Sequence, residues 1–342
     1  MHVLTWKSIG VAACLALAAL PANAALFCAH NTADIQAALT TAQSNGEDDQ
    51  IYITSGNIGA SALTFSSNEG HGIEFYGGYS GLTCDSVALD PTTSLDGQNT
   101  VRILYVHNPG GTVSIGGLTF VGGKAPAGTS GGALFVDGAA FVFLAGNTFI
   151  GNKTTGAGGA IAMTAGVVEF IDNLLFGNHG GQVGGVFFNL TGAGNTIVNN
   201  TIVANISDDL SAPAGMSAVG AGTYTVGNNI IWNNAAIGGS DFGIFSANTR
   251  KTNDIGIVKP GSTAGTVSGE LSVDPQFAPC SGFLCFNFEL SSASPLVNAG
   301  TDSIALPIGQ SADITGKPRK LGSHIDIGAY ENDDLIFAAG FE

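Results

Sequence analysis

Asp208 and Asp209 form an acidic pair that could hold a cation. They lie in a long connection, from Ile206 to Met216, and long loops carry function more often than tight turns do. Carboxylate oxygens are ligands that Ca²⁺ prefers. We therefore keep Asp208 and Asp209 as candidate binding residues, with a solvated acidic loop as the alternative.

Histidine and serine add little further chemistry. His30, His107, His179 and His324 lie far apart in the sequence and lack the spacing of metal ligands. No nucleophilic elbow is predicted, because the one Gly-x-Ser-x-Gly sequence, at 128–132, lies within the β-repeat and not between a strand and a helix. We therefore predict no metal and no cofactor, we assign no catalytic residue, and we expect these histidines to be structural or exposed.

Composition excludes two broad classes of protein. The chain has 342 residues, with 10 Lys and Arg against 26 Asp and Glu, so its formal net charge is −16. This acidity argues against nucleic acid as a partner, because a phosphate backbone demands a basic protein face. Hydrophobic residues make up 44% of the chain and charged residues only 11%, which argues against disorder.

The first 24 residues have the features of a secretory signal peptide. A basic front with Lys7 precedes an apolar stretch from Ile9 to Leu20, and the segment ends in Ala22-Asn23-Ala24. The apolar stretch is shorter than the ~20 residues of a membrane span, and no later segment is apolar enough to span a bilayer. We expect an exported protein, extracellular or on the outer cell surface.

Four cysteines follow the predicted signal peptide, namely Cys28, Cys84, Cys280 and Cys285. An even number of cysteines in an exported protein predicts disulfides, although four cysteines allow three pairings. Their positions favour Cys28–Cys84 and Cys280–Cys285, one pair near each end of the chain. Free buried thiols are the alternative.

The middle of the chain repeats every 26 to 29 residues. The repeats are 113–123, 142–152, 168–178, 195–205 and 224–234. Apolar residues alternate within them, and Gly and Asn fill the spaces between, which indicates short strands and turns. A repeat of this kind predicts a parallel β-solenoid, and parallel crossovers are right-handed. A β-sandwich is the alternative, but it gives no reason for a fixed period.

Stacked coils place equivalent residues in columns. We expect aliphatic columns inside and an Asn column at a turn. Asn suits that turn because it tolerates left-handed backbone and because its amide can bond to the Asn of the next coil. A Gly-Gly pair repeats in step. The predicted columns are Val113, Val142, Val168, Asn195 and Tyr224; Ile115, Leu144, Phe170, Ile197 and Val226; Gly123, Asn152, Asn178, Asn205 and Asn234; and the pairs at 131–132, 158–159 and 184–185.

The predicted register also indicates whether the carboxylates of an active site could converge from neighbouring coils. Cleavage of a polysaccharide needs two converging carboxylates for hydrolysis, or a Ca²⁺-binding carboxylate cluster with a base for elimination. No two carboxylates share a column in the best-defined coils. Asp172 is aligned with Gly146, Asn199 and Asn228; Glu169 with Phe143, Thr196 and Thr225; and Asp137 with Thr164 and Leu190.

Both ends of a solenoid need a cover, because exposed strand edges invite aggregation. We expect a helix over 34–42 to plug the first coil, with Asp34 as its N-cap and Ile35, Ala38, Leu39 and Ala42 on one face. The strand at 51–54 would begin the stack. The β-helix with its cap would span 25–272, an irregular closure 273–332, and a short tail 333–342.

Arg319 lies among three carboxylates in the predicted closure, namely Asp313, Asp326 and Glu331. A fork-shaped guanidinium matches carboxylates in geometry as well as charge. We predict an ion pair that braces the C-terminal closure. A contact with an anion or a sugar acid is the alternative.

Several motifs resemble those of secreted bacterial β-helix proteins. Gly-Gly-Ala-Leu/Ile followed by Phe149-Ile-Gly-Asn152 resembles the GGA[ILVY]…FxxN repeat of polymorphic outer-membrane proteins. Asp274-Pro-Gln-Phe277, Asn298-Ala-Gly300 and Asp326-Ile-Gly-Ala-Tyr-Glu331 together resemble the choice-of-anchor Q C-terminal domain. The resemblance implies a surface or secreted protein with a right-handed parallel β-helix, and it supplies no catalytic residue.

A second resemblance is much smaller. Gly70-His71-Gly72 and Asp208-Asp209 resemble two motifs of polygalacturonases, which share the β-helix fold. They occur in the wrong order, and the two accompanying motifs are missing. Fold alone does not decide function.

We therefore expect an all-β protein, a right-handed parallel β-helix of the pectate-lyase-like type with an N-terminal capping helix and an irregular C-terminal cap. The expected function is non-enzymatic: its long rigid face would serve cell-surface display, adhesion, or contact with a matrix or glycan. A Ca²⁺-dependent polysaccharide lyase or a glycoside hydrolase acting on acidic polysaccharide is the alternative.

Overall fold

The computed structural model describes residues 24–59, 62–89, 91–209, 211–236, 239–263, 265–280, 287–306 and 310–333. These residues form a right-handed parallel β-helix of about 8 turns, as the repeat predicted. The signal peptide at 1–24 and the tail at 333–342 lie almost wholly outside the described residues and stay predictions. In the described part of the chain, no helix is long and apolar enough to cross a membrane.

Four parallel sheets, A to D, run along the described part of the β-helix. Sheet A contains Ala25–Ala29, Asp49–Thr54, Ile73–Ser80, Thr112–Gly116, Phe141–Ala145, Val167–Ile171, Asn195–Val198, Tyr224–Gly227, Asn248–Lys251 and Thr266–Ser268, with Ser86–Val87 added antiparallel to the third of these. Sheet B contains Gly56–Gly59, Thr93–Asp96, Leu118–Val121, Thr148–Ile150, Leu174–Phe176, Thr201–Val203, Ile230–Trp232 and Asp254–Ile255. Sheet C contains Leu63–Ser66, Leu104–His107, Leu134–Asp137, Ile161–Ala165, Val186–Leu190, Met216–Val219 and Phe242–Ile244. Sheet D is short and contains Lys153–Thr154, His179–Gly180, Ile206–Ser207 and Ala235–Ala236.

The core is built from stacked equivalent residues of successive coils. Val142 pairs with Val113 on one side and with Val168 on the other, in the predicted register. The rings of Phe120 and Phe149 stack with their centroids 4.7 Å apart. Successive side chains of a strand point to opposite faces, so every second residue of the repeat enters this core and the others face outward.

The predicted Asn column is a buried ladder of hydrogen bonds. Asn178 Nδ2 donates to Oδ1 of Asn205 at 2.8 Å and to the carbonyl of Phe149 at 3.0 Å. Its Oδ1 accepts from the backbone N–H and from Nδ2 of Asn152, both at 2.9 Å. The ladder therefore pairs backbone groups at a corner where the strands end, and buried backbone groups need such partners.

A second Asn ladder, which the sequence analysis missed, stands at the corner between sheets A and B. Asn173 repeats the same pattern: its Nδ2 donates to Oδ1 of Asn200 at 3.1 Å and to the carbonyl of Leu144 at 3.0 Å. The members of this ladder are all fully buried: Asn147, Asn173, Asn200, Asn229 and Asn253. Two corners of each coil are thus closed in the same way.

The left-handed bend lies one residue before each ladder Asn. Gly177 has φ +64° ahead of Asn178, and Asp172 has φ +53° ahead of Asn173. Equivalent residues of other coils also have positive φ: Gly122, Gly151, Ala204 and Asn233 at one corner, and Gly146, Asn199, Asn228 and Thr252 at the other. The predicted bonding between the amides of successive coils is therefore confirmed. The expected left-handed backbone at these Asn residues was wrong, since they point inward and the preceding residue makes the bend.

The predicted alignment of the Gly-Gly pairs was also wrong. In the third coil it shifted the sequence by one residue. Thr164 pairs with Asn189, whereas the aligned glycines had placed Leu190 there. Leu190 is instead fully buried in the core. Because the connections between sheets differ in length from coil to coil, the spacing of one sheet does not determine the register of another.

The N-terminal helix spans Thr32–Ala42 and covers the first coil. It buries the predicted face of Ile35, Ala38, Leu39 and Ala42. Its N-cap is Asn31, whose side chain accepts hydrogen bonds from the N–H groups of Ala33 and Asp34. Asp34 as the N-cap was wrong, because this carboxylate instead accepts hydrogen bonds from Asn31 Nδ2 and from the His30 N–H.

The first coil begins earlier than predicted. Ala25–Ala29 pairs with Asp49–Thr54, so one strand precedes the strand that we expected to begin the stack. The predicted disulfide Cys28–Cys84 is confirmed and ties this first strand to a later coil. Cys285 lies outside the described residues, so the pairing Cys280–Cys285 stays a prediction.

The irregular C-terminal segment, residues 287–306 and 310–333, folds back along the outer corner between sheets A and B. The Ala329 N–H donates to Thr201 Oγ1 at 3.0 Å, and the Phe288 and Phe176 rings lie 4.9 Å apart. Ile314 and Tyr330 reach the same cavity as Tyr76 in an early coil. The segment therefore covers the side of the β-helix over several coils.

We expect Asn178→Ala to destabilise the protein by roughly 3 kcal/mol or more, because it leaves several buried hydrogen-bonding groups without partners. Chemical denaturation monitored by circular dichroism would measure the loss. Asn57→Ala, at an exposed strand position, is the matched control and should change stability by less than about 0.5 kcal/mol. Equal effects of the two substitutions would contradict the role of the ladder.

Candidate functional site

The predicted candidates Asp208 and Asp209 lie at the surface just after sheet D. Asp208 Oδ1 is 2.7 Å from His179 Nε2. Asp209 Oδ1 accepts hydrogen bonds from the Ser211 N–H at 2.7 Å and Oγ at 2.8 Å, which hold the pKa of Asp209 below its usual value. Over the described residues, no group of three or more His, Cys, Asp or Glu side chains could hold a metal ion.

The other histidines also stand apart from one another. His107 Nδ1 lies 3.0 Å from Asp137 Oδ2 on sheet C. His324 Nδ1 lies 3.5 Å from an oxygen of Asp302 in the C-terminal segment. The structure therefore brings each of these histidines to a different carboxylate and assembles no shared histidine site from them.

The outer face of sheet C carries an aromatic row. Tyr105 pairs with Phe135, Phe135 with Ala162, and Ala162 with Phe187. The three rings are half-buried, and the Tyr105 and Phe135 centroids lie 5.7 Å apart. Phe187 is two coils from Phe135, which corresponds to about 9.6 Å at a strand spacing of about 4.8 Å. Ala162, between these two rings, is only 1% exposed, so its neighbours cover it.

A polar row runs beside the aromatic row on the same face. It consists of the next outward residue of each strand: Ser66, His107, Asp137, Thr164 and Asn189. The one carboxylate of this row, Asp137, faces His107 at 3.0 Å. The face therefore offers hydroxyl, amide and imidazole groups next to aromatic surface, with little net charge.

Arg102 holds the first two rings in place. Its Nε donates to the carbonyl of Gly131 at 3.0 Å, and its Nη2 donates to Thr129 Oγ1 at 2.7 Å. The guanidinium carbon lies 5.9 Å from the centroid of the Tyr105 ring and 5.4 Å from that of Phe135, within the range of cation–π attraction. Arg102 is thus held by hydrogen bonds while it packs against the first two rings of the aromatic row.

A cavity of about 380 Å³ lies on another side of the molecule, between the β-helix and the C-terminal segment. Tyr79 and Phe143 line it from the coils, and Ile314 and Tyr330 line it from the C-terminal segment. Asp172 lines it at the corner between sheets A and B. This volume lies within the ordinary range of small-molecule sites.

Asp172 is a buried carboxylate with few partners. It is 2% exposed, and neither of its oxygens accepts a hydrogen bond of normal geometry. Its nearest cation is Arg319, whose Nη1 lies 3.6 Å from Oδ1. Burial raises the pKa of Asp172 to about 7; Arg319 opposes this shift, and the nearby charge of Asp313 adds to it.

Arg319 joins the C-terminal segment to the β-helix. It is 4% exposed, and its Nε lies 3.5 Å from Glu331 Oε1. Its Nη2 donates to the carbonyls of Asp326 and Gly328. Burial raises the pKa of Glu331 to about 8, with Arg319 opposing the shift and Asp326 adding to it. The predicted bracing role of Arg319 thus agrees with its contacts.

Asp313 is the other carboxylate that lines the cavity, and both of its oxygens already accept hydrogen bonds. Asp313 Oδ1 accepts from the Thr315 N–H at 2.9 Å, from Thr315 Oγ1 at 2.8 Å and from the Lys317 N–H at 2.8 Å. Its Oδ2 accepts from the Glu331 N–H at 2.9 Å. Asp313 therefore shapes a turn of the C-terminal segment and offers little to a ligand.

The sequence analysis missed the part that Asp172 plays. It placed Asp172 correctly in a column with Gly146 and Asn199, and from this column it inferred that no carboxylates converge. The converging carboxylates come from the C-terminal segment, which no repeat places. The signal that could have revealed the site is an Asp at a bend where the other coils use Gly or Asn.

Comparison with known proteins adds no family assignment. No protein-family model matches the chain, and no curated protein sequence is significantly similar to it. The class of protein rests on the geometry alone, which is that of a parallel β-helix.

We expect Arg319→Ala to destabilise the protein by about 3–5 kcal/mol, because removing one partner of a buried ion pair leaves buried charge uncompensated. Differential scanning calorimetry would measure the loss, and limited proteolysis would locate it in the C-terminal segment. Lys320→Ala is a matched control, since this neighbour forms an exposed ion pair with Asp302 and should cost about 0–1 kcal/mol. Unchanged thermal unfolding of Arg319→Ala would contradict the bracing role.

Stability should fall as the pH rises from about 4 to about 8. The carboxyl groups of Asp172 and Glu331 have ordinary pKa values of 3.8 and 4.5, raised to about 7 and about 8 in the folded protein. Between these limits the folded state retains protons that the unfolded chain releases, so each rise in pH favours unfolding. Melting temperatures from pH 4 to 9 would show the fall.

Asp172→Asn is the variant that tests this pH dependence. Asn occupies the same bend in the next two coils, at Asn199 and Asn228, so the backbone accepts it. The fall in melting temperature between pH 5 and 8 should be smaller in Asp172→Asn than in the wild type. Asp85→Asn, at an exposed site, is the control and should leave the fall unchanged. The same slope in the wild type and in Asp172→Asn would contradict the assignment.

Proposed function

We propose that this protein is a non-enzymatic, exported β-helix protein that binds a glycan along the outer face of sheet C. The observation that carries the proposal is the aromatic row of Tyr105, Phe135 and Phe187 beside a polar row. Aromatic rings stack against the apolar faces of sugars, and adjacent hydroxyl and amide groups bond to the sugar hydroxyls. The glycan would lie parallel to the axis of the β-helix.

The spacing of the rings in the aromatic row supports a polymeric glycan, rather than a single sugar, as the ligand. Phe135 and Phe187 are about 9.6 Å apart across two coils, in the range of a disaccharide repeat. Because the rings stand on a rigid sheet, binding would require little ordering of the protein, which favours affinity.

Charge favours a neutral glycan. The whole chain carries a formal charge of −16, which repels polyanions at long range. On the face itself, the one carboxylate of the polar row, Asp137, adds to this repulsion. A neutral chain would meet no such repulsion.

Export and surface location are supported by other features. The N-terminal segment has the pattern of a signal peptide, and the disulfide Cys28–Cys84 is typical of oxidising compartments. The C-terminal motifs that resemble the choice-of-anchor Q domain, and the Gly-Gly-Ala repeats that resemble polymorphic outer-membrane proteins, favour a role at the cell surface. Adhesion to a matrix or to a neighbouring surface would follow from glycan binding.

The enzymatic alternative would have to use the cavity at Asp172. The pKa of about 7 would suit Asp172 to the role of a general acid. Hydrolysis needs a second carboxylate, however, and both oxygens of Asp313 already accept hydrogen bonds. Reducing-end release and uronate absorbance from a panel of glycans, with and without Ca²⁺, would test this alternative. Turnover above background that is lost in Asp172→Asn would overturn the non-enzymatic function.

The proposal predicts that Phe187→Ala weakens glycan binding by about tenfold, because truncating a central aromatic anchor costs about 1–2 kcal/mol. The measurement is affinity electrophoresis against neutral and acidic polysaccharides, followed by titration calorimetry with the best ligand. The double variant Phe135→Ala/Phe187→Ala should lose binding altogether.

Leu89→Ala is the matched control, since Leu89 is fully exposed and lies outside sheet C. It removes a large apolar side chain from the surface and should leave glycan binding unchanged. If no polysaccharide of the panel binds the wild type, or if Phe187→Ala binds as the wild type does, the proposed face is wrong.

A further inference from the structure

We propose that a recess at the first ring of the aromatic row binds a tetrahedral oxyanion, a sulfate or phosphate group, with Arg102 and Lys124 as its cationic contacts. The recess has a volume of about 420 Å³, and its lining includes both of these cations together with Thr64 and Tyr105. The proposal does not rest on the proposed glycan binding, which could fail while the recess still binds its ion.

The first argument is that Arg102 is a half-buried cation without a carboxylate partner. Its Nε and Nη2 donate to neutral oxygens of residues 129–131. Its third nitrogen, Nη1, makes no hydrogen bond within the described residues and keeps accessible surface. Burial lowers the pKa of Arg102, because a charge loses hydration there. An anion in the recess would accept from Nη1 and offset this cost.

The second argument is a pair of lysines that lie side by side at the recess. Lys124 and Lys153 are bridge partners in successive coils, and like charges directly opposite each other destabilise a sheet. In the described part of the chain, neither lysine forms an ion pair. The lysines and arginines that do are Arg250, Lys317, Arg319 and Lys320. An anion at the recess would offset the repulsion between the two lysines.

The third argument is that no carboxylate competes for these cations. Of the described residues that line the recess, none is Asp or Glu. Asp208 lies beyond the two lysines and contacts His179 at 2.7 Å. Asp137 ends its strand of sheet C and lies beside His107, at the far end of the strand that follows Arg102. The charge of −16 on the whole chain is screened beyond about 10 Å at 0.1 M salt.

The placement of the donors favours a tetrahedral ion over a carboxylate. Arg102 lies just before a strand of sheet C, Thr64 lies on the strand of the preceding coil, and Lys124 lies at the corner after sheet B. Groups from three parts of the coil therefore surround the recess. Sulfate and phosphate present oxygens in several directions, whereas a carboxylate presents two oxygens in one plane. Lys serves such an ion as a point charge, and Arg serves it with directed N–H groups.

The test is titration calorimetry of the full chain at pH 7 in 0.1 M NaCl, with sulfate, acetate and glucose 6-sulfate as probes. We expect sulfate to bind at least about tenfold more tightly than acetate, because it carries a second charge and accepts an additional charged hydrogen bond. Glucose 6-sulfate distinguishes the source of the ion. Tighter binding than that of sulfate would assign the site to an ester on a sugar, whose ring contacts Tyr105, and weaker binding would assign it to the free ion.

Two variants assign the binding to this recess. Lys124→Gln and Arg102→Gln should each weaken sulfate binding by at least about fivefold, since each removes a charged hydrogen bond. Lys251→Gln is the matched control, because Lys251 also forms no ion pair within the described residues and lies on sheet A, outside the recess. It removes the same charge and should leave sulfate binding unchanged. Phe187→Ala should do the same, which separates this site from glycan binding.

Three results would overturn the proposal. The first is equal affinity for sulfate and acetate, which would remove the selectivity for a tetrahedral ion. The second is unchanged sulfate binding in Lys124→Gln, a variant of an exposed side chain that decides the matter even if Arg102→Gln does not fold. The third is an equal loss of sulfate binding in Lys251→Gln, which would show that only the net charge of the chain matters.

Discussion

Each coil of this β-helix must bend without leaving buried backbone groups unpaired, and the rest of the structure depends on how it does so. At two corners a residue of positive φ turns the chain, and the next residue is an inward Asn that pairs the freed N–H and C=O groups. Asn178 and Asn173 each bond to the Asn of the following coil. Such a ladder works only if successive coils stay in register, so the corners specify the stacking of the whole core.

The positive φ of the bend suits only a few residue types. Asp172 is one of them, but it carries a charge that the residues of the other coils lack. At the corner between sheets A and B, other coils use Gly146, Asn199 and Asn228, which accept positive φ without adding charge. Asp172 satisfies the same backbone requirement but adds a carboxylate that becomes buried in the folded protein. Arg319 of the C-terminal segment lies beside it. This one charged residue at a bend thus adds an ion pair to the contacts that join the β-helix to its irregular covering segment.

The two candidate surfaces arise from different physical causes. The aromatic row on sheet C exists because every second residue of a strand faces outward and equivalent residues stack, so Tyr105, Phe135 and Phe187 line up along the axis. This surface is a direct product of the repeat. The cavity at Asp172 has no counterpart in the repeat, since half of its wall comes from a segment of irregular structure.

The sequence by itself determined the parallel β-helix, the columns of the core, the first Asn ladder, the buried face of the N-terminal helix and the disulfide Cys28–Cys84. All of these except the disulfide depend on local periodicity, because a residue that recurs once per coil must meet its equivalents. The tertiary structure alone decided the register of sheet C at Asn189, the return of the C-terminal segment along the corner, and the meeting of Asp172 with Arg319. These features depend on connections of variable length and on a segment without a repeat, and no spacing in the sequence carries that information.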